Sequence, residues 1–221
     1  MGGLKGVLFD WDGTLVDSAA VSYRCYTRLF ESFSIPFTKA DFERTYSPDW
    51  HRTYREMDLD RDRWGEADER WLGYYREETT GLLPGARRGL ERLAESGLRL
   101  GIVTSGDRRR VSHEIVRLGV EIFLKIVVCG EDTPFRKPHP AGLLLALKHL
   151  RLSPKEAAYV GDSPEDIMMA RAAGVFSIGI PGGFPNAAAL RMAGPDRFGE
   201  RLEEIVETLL QEGVASGMGS E

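Results

Sequence analysis

The most constraining feature of this chain is a rhythm of short apolar runs separated by helical patterns of about ten residues. The runs are residues 6–10 (GVLFD), 98–104 (LRLGIVT), 126–129 (IVVC), 157–160 (AAYV) and 175–180 (VFSIGI). Between them, residues 86–95, 108–118, 141–150 and 166–173 carry helical spacing. Short apolar runs without alternation are strands buried on both faces, and interleaved helices make βαβ units. The pattern predicts an α/β fold, a Rossmann-like parallel sheet with helices on both faces. In such sheets ligands bind beyond the carboxyl ends of the strands. The residues to weigh are therefore 10–14, 104–106, 130–137 and 161–166, which are rich in carboxylates and hydroxyls.

One interval breaks the rhythm. Residues 16–82 contain no buried-strand run, and Tyr, Trp, Arg and Glu recur at helical spacing, as in residues 64–78 (WGEADERWLGYYREE). This predicts a helical cap domain, residues 16–82, inserted in a core made of residues 1–15 and 83–221. Leu83-Pro84-Gly85 marks the return to the core. Residues 212–221, rich in Gly and Ser, read as a frayed tail.

Composition narrows the function. Of 221 residues 42% are apolar and 29% charged, the balance of a soluble globular protein. A formal charge of −5 argues against a nucleic-acid partner, since the phosphate backbone rewards dense Lys and Arg. The two cysteines, Cys25 and Cys129, suggest no disulfide framework, and the four histidines lack metal-ligand spacing. The apolar run near the start meets an acid at once, unlike a signal peptide, and residues 141–147 are too short to span a bilayer. The expectation is a cytoplasmic protein with no membrane partner, monomeric or a weak homodimer.

Four polar clusters carry the chemistry. Asp10-Trp11-Asp12-Gly13-Thr14-Leu15 puts two carboxylates on alternate positions at a strand end, where both can face one cleft, although Asp-Gly is also a common turn. In Gly161-Asp162-Ser163-Pro164-Glu165-Asp166, a capping box accounts for Ser163, Pro164 and Asp166 but leaves Asp162 over. Lys137 sits in a loop stiffened by Pro138 and Pro140. Thr104-Ser105-Gly106 offers a hydroxyl and backbone N–H groups at a helix start, which suit an anion. Arg108-Arg109-Arg110 opens a helix where positive charge opposes the dipole, and reads as solvated surface, with a distal anion contact as the alternative.

In this order, each after its own strand, the four clusters resemble the haloacid dehalogenase superfamily, phosphatase branch. Asp10-Trp-Asp12-Gly-Thr-Leu matches the family's first motif, Thr104 the second, Lys137-Pro138 the third, and Gly161-Asp162 with Asp166 the fourth. The resemblance spans Lys5 to about Leu210 and implies a HAD-like core with a helical cap.

The resemblance implies a magnesium-dependent phosphatase that hydrolyses a small phosphorylated metabolite through an aspartyl-phosphate on Asp10. Asp12 is implied as acid and base. Asp10, the Asp12 backbone carbonyl, Asp162 and Asp166 are implied as the Mg2+ site. Lys137, Thr104, Ser105 and Gly106 are implied as phosphoryl contacts. Four carboxylates and a phosphate dianion against magnesium and one lysine leave an excess of negative charge, which a protonated Asp12 relieves. An acid at position 12 favours phosphate esters over halides. Lys39, the only lysine in the insertion, shows no sign of Schiff-base chemistry. In the cap, residues 44–52 (RTYSPDWHR) form an aromatic and basic stretch, with Arg52 or His51 the candidates to bind a carboxylate or second phosphate; the alternative is that Tyr46 and Trp50 pack inside the cap and Arg52 is solvated. Two alternatives stay open: a phosphomutase of the β-phosphoglucomutase type, and a non-catalytic regulatory protein of the same fold.

Overall fold

The computed structural model describes residues 3–214. Strand β1 (Gly6–Phe9) leads into a helical insert, followed by the remaining βα units. The insert begins with β2 (Val16–Asp17), continues through α1 (Ala19–Ser32), α2 (Lys39–Thr45), α3 (Trp50–Glu56) and α4 (Trp64–Arg76), and closes with β3 (Gly81–Leu82). The core resumes with α5 (Ala86–Glu95), β4 (Arg99–Val103), α6 (Arg108–Arg117), β5 (Leu124–Val128), α7 (Ala141–Leu150), β6 (Ala157–Gly161) and α8 (Pro164–Ala173). It ends with β7 (Phe176–Gly179), α9 (Ala187–Met192), β8 (Arg197–Phe198) and α10 (Leu202–Val214).

The main sheet has the order β5-β4-β1-β6-β7-β8, and every pairing in it is parallel. Side chains alternate across it as the pleat demands. Val7 and Phe9 join Leu90, Leu93, Val111, Ile115, Ile205 and Leu209 on one face. Leu8 joins Leu143, Leu147, Met169 and Ala170 on the other. Helices α5, α6 and α10 thus cover one side, and α7 and α8 the other. The connection after β1 runs toward β4, whereas β6, on its other flank, continues outward to β7. This reversal opens a crevice at the carboxyl ends of the central strands.

The predicted strands and core helices are all present, with shifts of one or two residues at their ends. Two features escaped the sequence pattern. The two-residue strands β2 and β3 pair antiparallel where the insert leaves and rejoins the core, too short to leave an apolar run. Beyond β7, α9, β8 and α10 complete the chain, and α10 extends through Val214, so the start of the expected tail is helical. Its remainder, residues 215–221, lies outside the described residues.

The insert packs on a cluster of its own, built from Tyr26, Leu29, Phe30, Phe37, Phe42, Tyr54 and Leu59, with Phe184 entering from the core. Phe30 and Phe37 stack at 4.7 Å, and Tyr54 meets Phe30 edge-on. Aromatic pairs of this kind add about 0.5–1.5 kcal/mol each beyond the area they bury. Cys25 and Cys129 are both buried and free. Among the described residues no helix is long and apolar enough to cross a membrane.

Candidate active site

Strand pairing fixes the site's floor. The Asp10 N–H donates to the Val160 carbonyl (2.8 Å) and the Thr104 N–H to the Val128 carbonyl (3.0 Å), so each residue just past a strand end is still held by the ladder. Gly13 turns the chain away at φ 79°, and a Cβ there would stand 2.3 Å from Asp162 Oδ2. Only glycine meets both demands. Asp-Gly is therefore a turn and also the device that lets Asp162 approach the first loop.

Four charged groups meet at these tips. Lys137 Nζ lies 2.5 Å from Asp10 Oδ1 and 2.7 Å from Asp166 Oδ1. The capping box predicted at α8 is present: Ser163 Oγ accepts from the Asp166 N–H, and Asp166 Oδ2 accepts from the Ser163 N–H and hydroxyl. Its other oxygen accepts from Tyr159 Oη, so Asp166 serves the helix and the cluster together. Burial pushes the Asp10 carboxyl up to about 7, with Lys137 opposing and Asp166 reinforcing the shift. Asp162 is also raised well above the usual carboxylate range, first by burial and then by the charge of Asp10. Burial alone would lower Lys137, but Asp10 and Asp166 overcome it and hold the ammonium above its ordinary range.

This cluster fits a hard divalent cation. Asp10, Asp162 and Asp166 each offer one carboxylate oxygen, all within 4.8 Å of one another and all buried. Asp162 Oδ2 is buried with no hydrogen-bond partner. An orphaned carboxylate oxygen is costly unless a cation completes it, and an all-oxygen set suits a magnesium-type ion.

Thr104 is buried and lines the same cavity as Ser105 and Gly106. Its Oγ accepts the Gly106 N–H at 3.0 Å, leaving the hydroxyl proton available. This corrects one expectation: the Gly106 N–H is spent locally. Helix α6 starts beyond it, with Asp107 as the N-cap accepting the Arg110 N–H.

Asp12 has a partner that the sequence pattern did not reveal. Both its oxygens accept from one guanidinium, Arg110 Nη1 at 3.0 Å and Nη2 at 2.5 Å, which fixes the side chain on the cleft wall. Arg110 thus brings a positive charge beside Asp12 that the sequence reading of the site did not count. Arg110, read from sequence as solvated surface, has a side chain only 7% exposed. It also contacts Glu114 at 2.9 Å, and Glu114 in turn accepts from Trp11 Nε1 (3.0 Å), Tyr75 Oη (3.1 Å) and Thr80 Oγ1 (2.6 Å). Tyr75 and Thr80 belong to the insert, so this buried network joins the two parts of the molecule behind Asp12. A signal existed: Arg110 and Glu114 stand four apart, interleaved with buried Val111 and Ile115 on one helical face.

The insert roofs a cavity of about 410 Å³ with Tyr46, Trp50, Tyr54 and Trp71. Arg52 is not among the lining residues. It lies on α3 rather than in a loop, 52% exposed, and pairs with Glu56 at 2.8 Å. His51 turns instead to Asp68 and stacks on Trp64. The cation present on that wall is Arg136, whose guanidinium lies 3.8 Å from the centroid of the Trp50 ring. Nothing local in the sequence marks it, because its aromatic partner is far along the chain.

Known proteins are similar to this chain in fold and sequence. The chain matches the family described as haloacid dehalogenase-like hydrolase over residues 7–180. It is 30% identical over 216 residues to a phosphoglycolate phosphatase of Nitrosococcus oceani, covering 93% of this chain and 96% of that one. A haloacid dehalogenase-like family hydrolase from Streptococcus pneumoniae superposes with a TM-score of 0.81 at 26% identity, covering 93% of this chain and 98% of the other. A Thermotoga maritima structure described as a β-phosphoglucomutase superposes at 0.74 and 25% identity, covering 94% and 99%. With its strand order, its acid-lined strand tips and a family match running from β1 to just past β7, the chain belongs to the haloacid dehalogenase-like hydrolases.

Proposed function

We propose that this protein is a magnesium-dependent phosphatase acting on a small phosphate monoester, with phosphoglycolate the first candidate, and that residues 16–82 act as its cap. The observation that carries the reading is the convergence of Asp10, Asp162, Asp166 and Lys137 at the strand tips, with Asp12 on the adjoining wall. A carboxylate nucleophile meeting a phosphate dianion needs its repulsion cancelled first. Magnesium held by Asp10, Asp162, Asp166 and the Asp12 carbonyl would supply positive charge to the phosphoryl oxygens.

Asp10 attacks phosphorus in line, the bond to the ester oxygen breaks, and Asp12 gives that oxygen a proton to release the alcohol. Asp12 then takes a proton from water, which attacks the phosphorus of the aspartyl-phosphate. The Asp10–phosphorus bond breaks, returning a free carboxylate and inorganic phosphate. Lys137 and the free proton of the Thr104 hydroxyl hold phosphoryl oxygens through both steps. Arg110 keeps the Asp12 carboxylate against the cleft wall.

The mutase alternative uses the same Asp10 chemistry and draws support from the Thermotoga likeness. Phosphate release from phosphoglycolate with no second alcohol present separates the two, since an obligate mutase stalls. The assay compares magnesium with chelator, and wild type with Asp10→Asn. The expected result is activity only with both metal and Asp10, with the variant folded by circular dichroism. Full activity in the folded variant would reject Asp10 as nucleophile.

A further inference from the structure

Three cations line the cavity: Lys137, Arg110 and Arg136. Two are committed. Lys137 serves Asp10 and Asp166, and Arg110 serves Asp12 and Glu114. Arg136 differs. No carboxylate among the described residues lies within ion-pairing distance of it, and its Nη1 is buried with no hydrogen-bond partner. Three nearby acids, two of them in the cavity lining, have other partners. Asp68 accepts from Trp50 Nε1 at 2.7 Å and faces His51 at 3.3 Å. Glu165 accepts from Ser47, and Glu131 from the Arg108 N–H.

We propose that Arg136 is a specificity-determining contact for a carboxylate that the substrate carries a short spacer away from its phosphate. The inference rests on the phosphatase reading and sharpens its substrate class. Trp50 stacks on the guanidinium and is itself fixed by Asp68, which holds Arg136 in place in the cavity lining with Nη1 still unpartnered. A planar fork matches a carboxylate through two parallel hydrogen bonds. Charge points the same way. One unpaired positive charge balances one carboxylate, whereas a second phosphate dianion would leave excess negative charge in a cleft already dense with acids. The spacer must be short, because Arg136 and Lys137 leave the loop from Cα atoms about 3.8 Å apart and converge on one small cavity. This is the part expected of Arg52, filled from the core instead of the insert.

The test compares three esters with magnesium present: phosphoglycolate, ethyl phosphate, which lacks the carboxylate, and ethylene glycol bisphosphate. Wild type should favour phosphoglycolate over ethyl phosphate in kcat/KM, and Arg136→Gln should reduce that ratio about 10- to 100-fold, mainly through KM. Arg136→Lys should recover part of it, since it keeps the charge without the fork. Glycolate should also inhibit wild type competitively where ethanol does not, a measurement that needs no folded variant. A ratio unmoved by Arg136→Gln, or glycolate no better an inhibitor than ethanol, overturns the proposal. Preference for the bisphosphate overturns the carboxylate assignment. Equal hydrolysis of phosphoglycolate and ethyl phosphate by wild type leaves the phosphatase reading standing and rejects Arg136. Hydrolysis of none of the three rejects both.

Discussion

The floor and the roof of the cleft are built on opposite principles. The floor is polar and over-determined: Asp10 and Thr104 are still tied to the sheet, Asp166 closes a capping box, and Lys137 bridges two acids. The roof is aromatic, and its polar and charged residues mostly satisfy one another, as in Arg52 with Glu56 and His51 with Asp68. A floor of this kind fixes a reaction centre, where small displacements are costly. A roof of stacked rings sets shape and excludes water while contributing little charge. Fixed charge and aromatic shape are thus built by separate parts of this chain, which meet at Arg110 and Arg136.

The largest effect expected from breaking that division is on the floor. Asp12→Asn should lower kcat by about 10²–10⁴, the range for losing a general acid and base. The measurement is steady-state kinetics beside circular dichroism, and a folded variant with kcat near wild type would remove Asp12 from the chemistry. At the junction, Arg110→Gln leaves Asp12 and Glu114 facing each other without their shared cation. Removing one member of a buried charge network costs about 3–5 kcal/mol, which chemical denaturation would read directly. A loss well under 1 kcal/mol would mean that the network behaves as exposed surface pairs do.

The legibility of the two halves follows the same division. Asp10 and Asp162 could be found because each directly follows an apolar run, and a parallel sheet brings strand tips together whatever the helices do; Lys137, in the loop beyond β5, was marked only by the family resemblance. Ser163 and Asp166 were legible because capping is local, three residues apart. Arg110 was missed because its partner Asp12 is 98 residues away, and its neighbours Arg108 and Arg109 look alike in composition. Arg108 reaches Asp132 at the surface, so only position on the helix separates a buried arginine from an exposed one. Arg136 and Trp50 pose the same problem across the cleft. Arg52 shows the reverse case: of its two readings, ligand contact and solvated residue, the helix selects the second and turns it toward Glu56.

A smaller effect should appear as stability rather than rate. The Asp10 carboxyl, raised by burial to about 7 from 3.8, holds a proton in the folded protein over a range where the unfolded chain has released it. That contribution to stability is therefore complete below about pH 3.8 and is lost as pH rises toward 7. A metal needs the ionised form, so magnesium and protons compete for the same oxygens. The stabilisation produced by magnesium should be slight at pH 5, grow to pH 7 and level off above it, reaching about 2.7 kcal/mol at a hundredfold excess over Kd. Melting curves with and without magnesium from pH 5 to 8 decide the matter. A shift independent of pH would show that the metal does not displace protons from this cluster.

The smallest effect concerns how tightly the two halves are joined. Tyr46 of the insert stacks on Phe184 of the core with ring centroids 4.3 Å apart and planes 11° from parallel. Tyr46→Leu keeps apolar volume and loses the stack, a cost of about 0.5–1.5 kcal/mol. For a chain of this length each kcal/mol corresponds to a melting shift of about 2–4 °C. The informative measurement is that shift taken twice, with and without magnesium. Sites without shared partners contribute additively, so a roof independent of the floor gives the same shift in both conditions. A shift that grows when magnesium is bound would show that the metal cluster and the aromatic roof are coupled, with Phe184, which lies close against Gly13 in the first loop, as the physical connection.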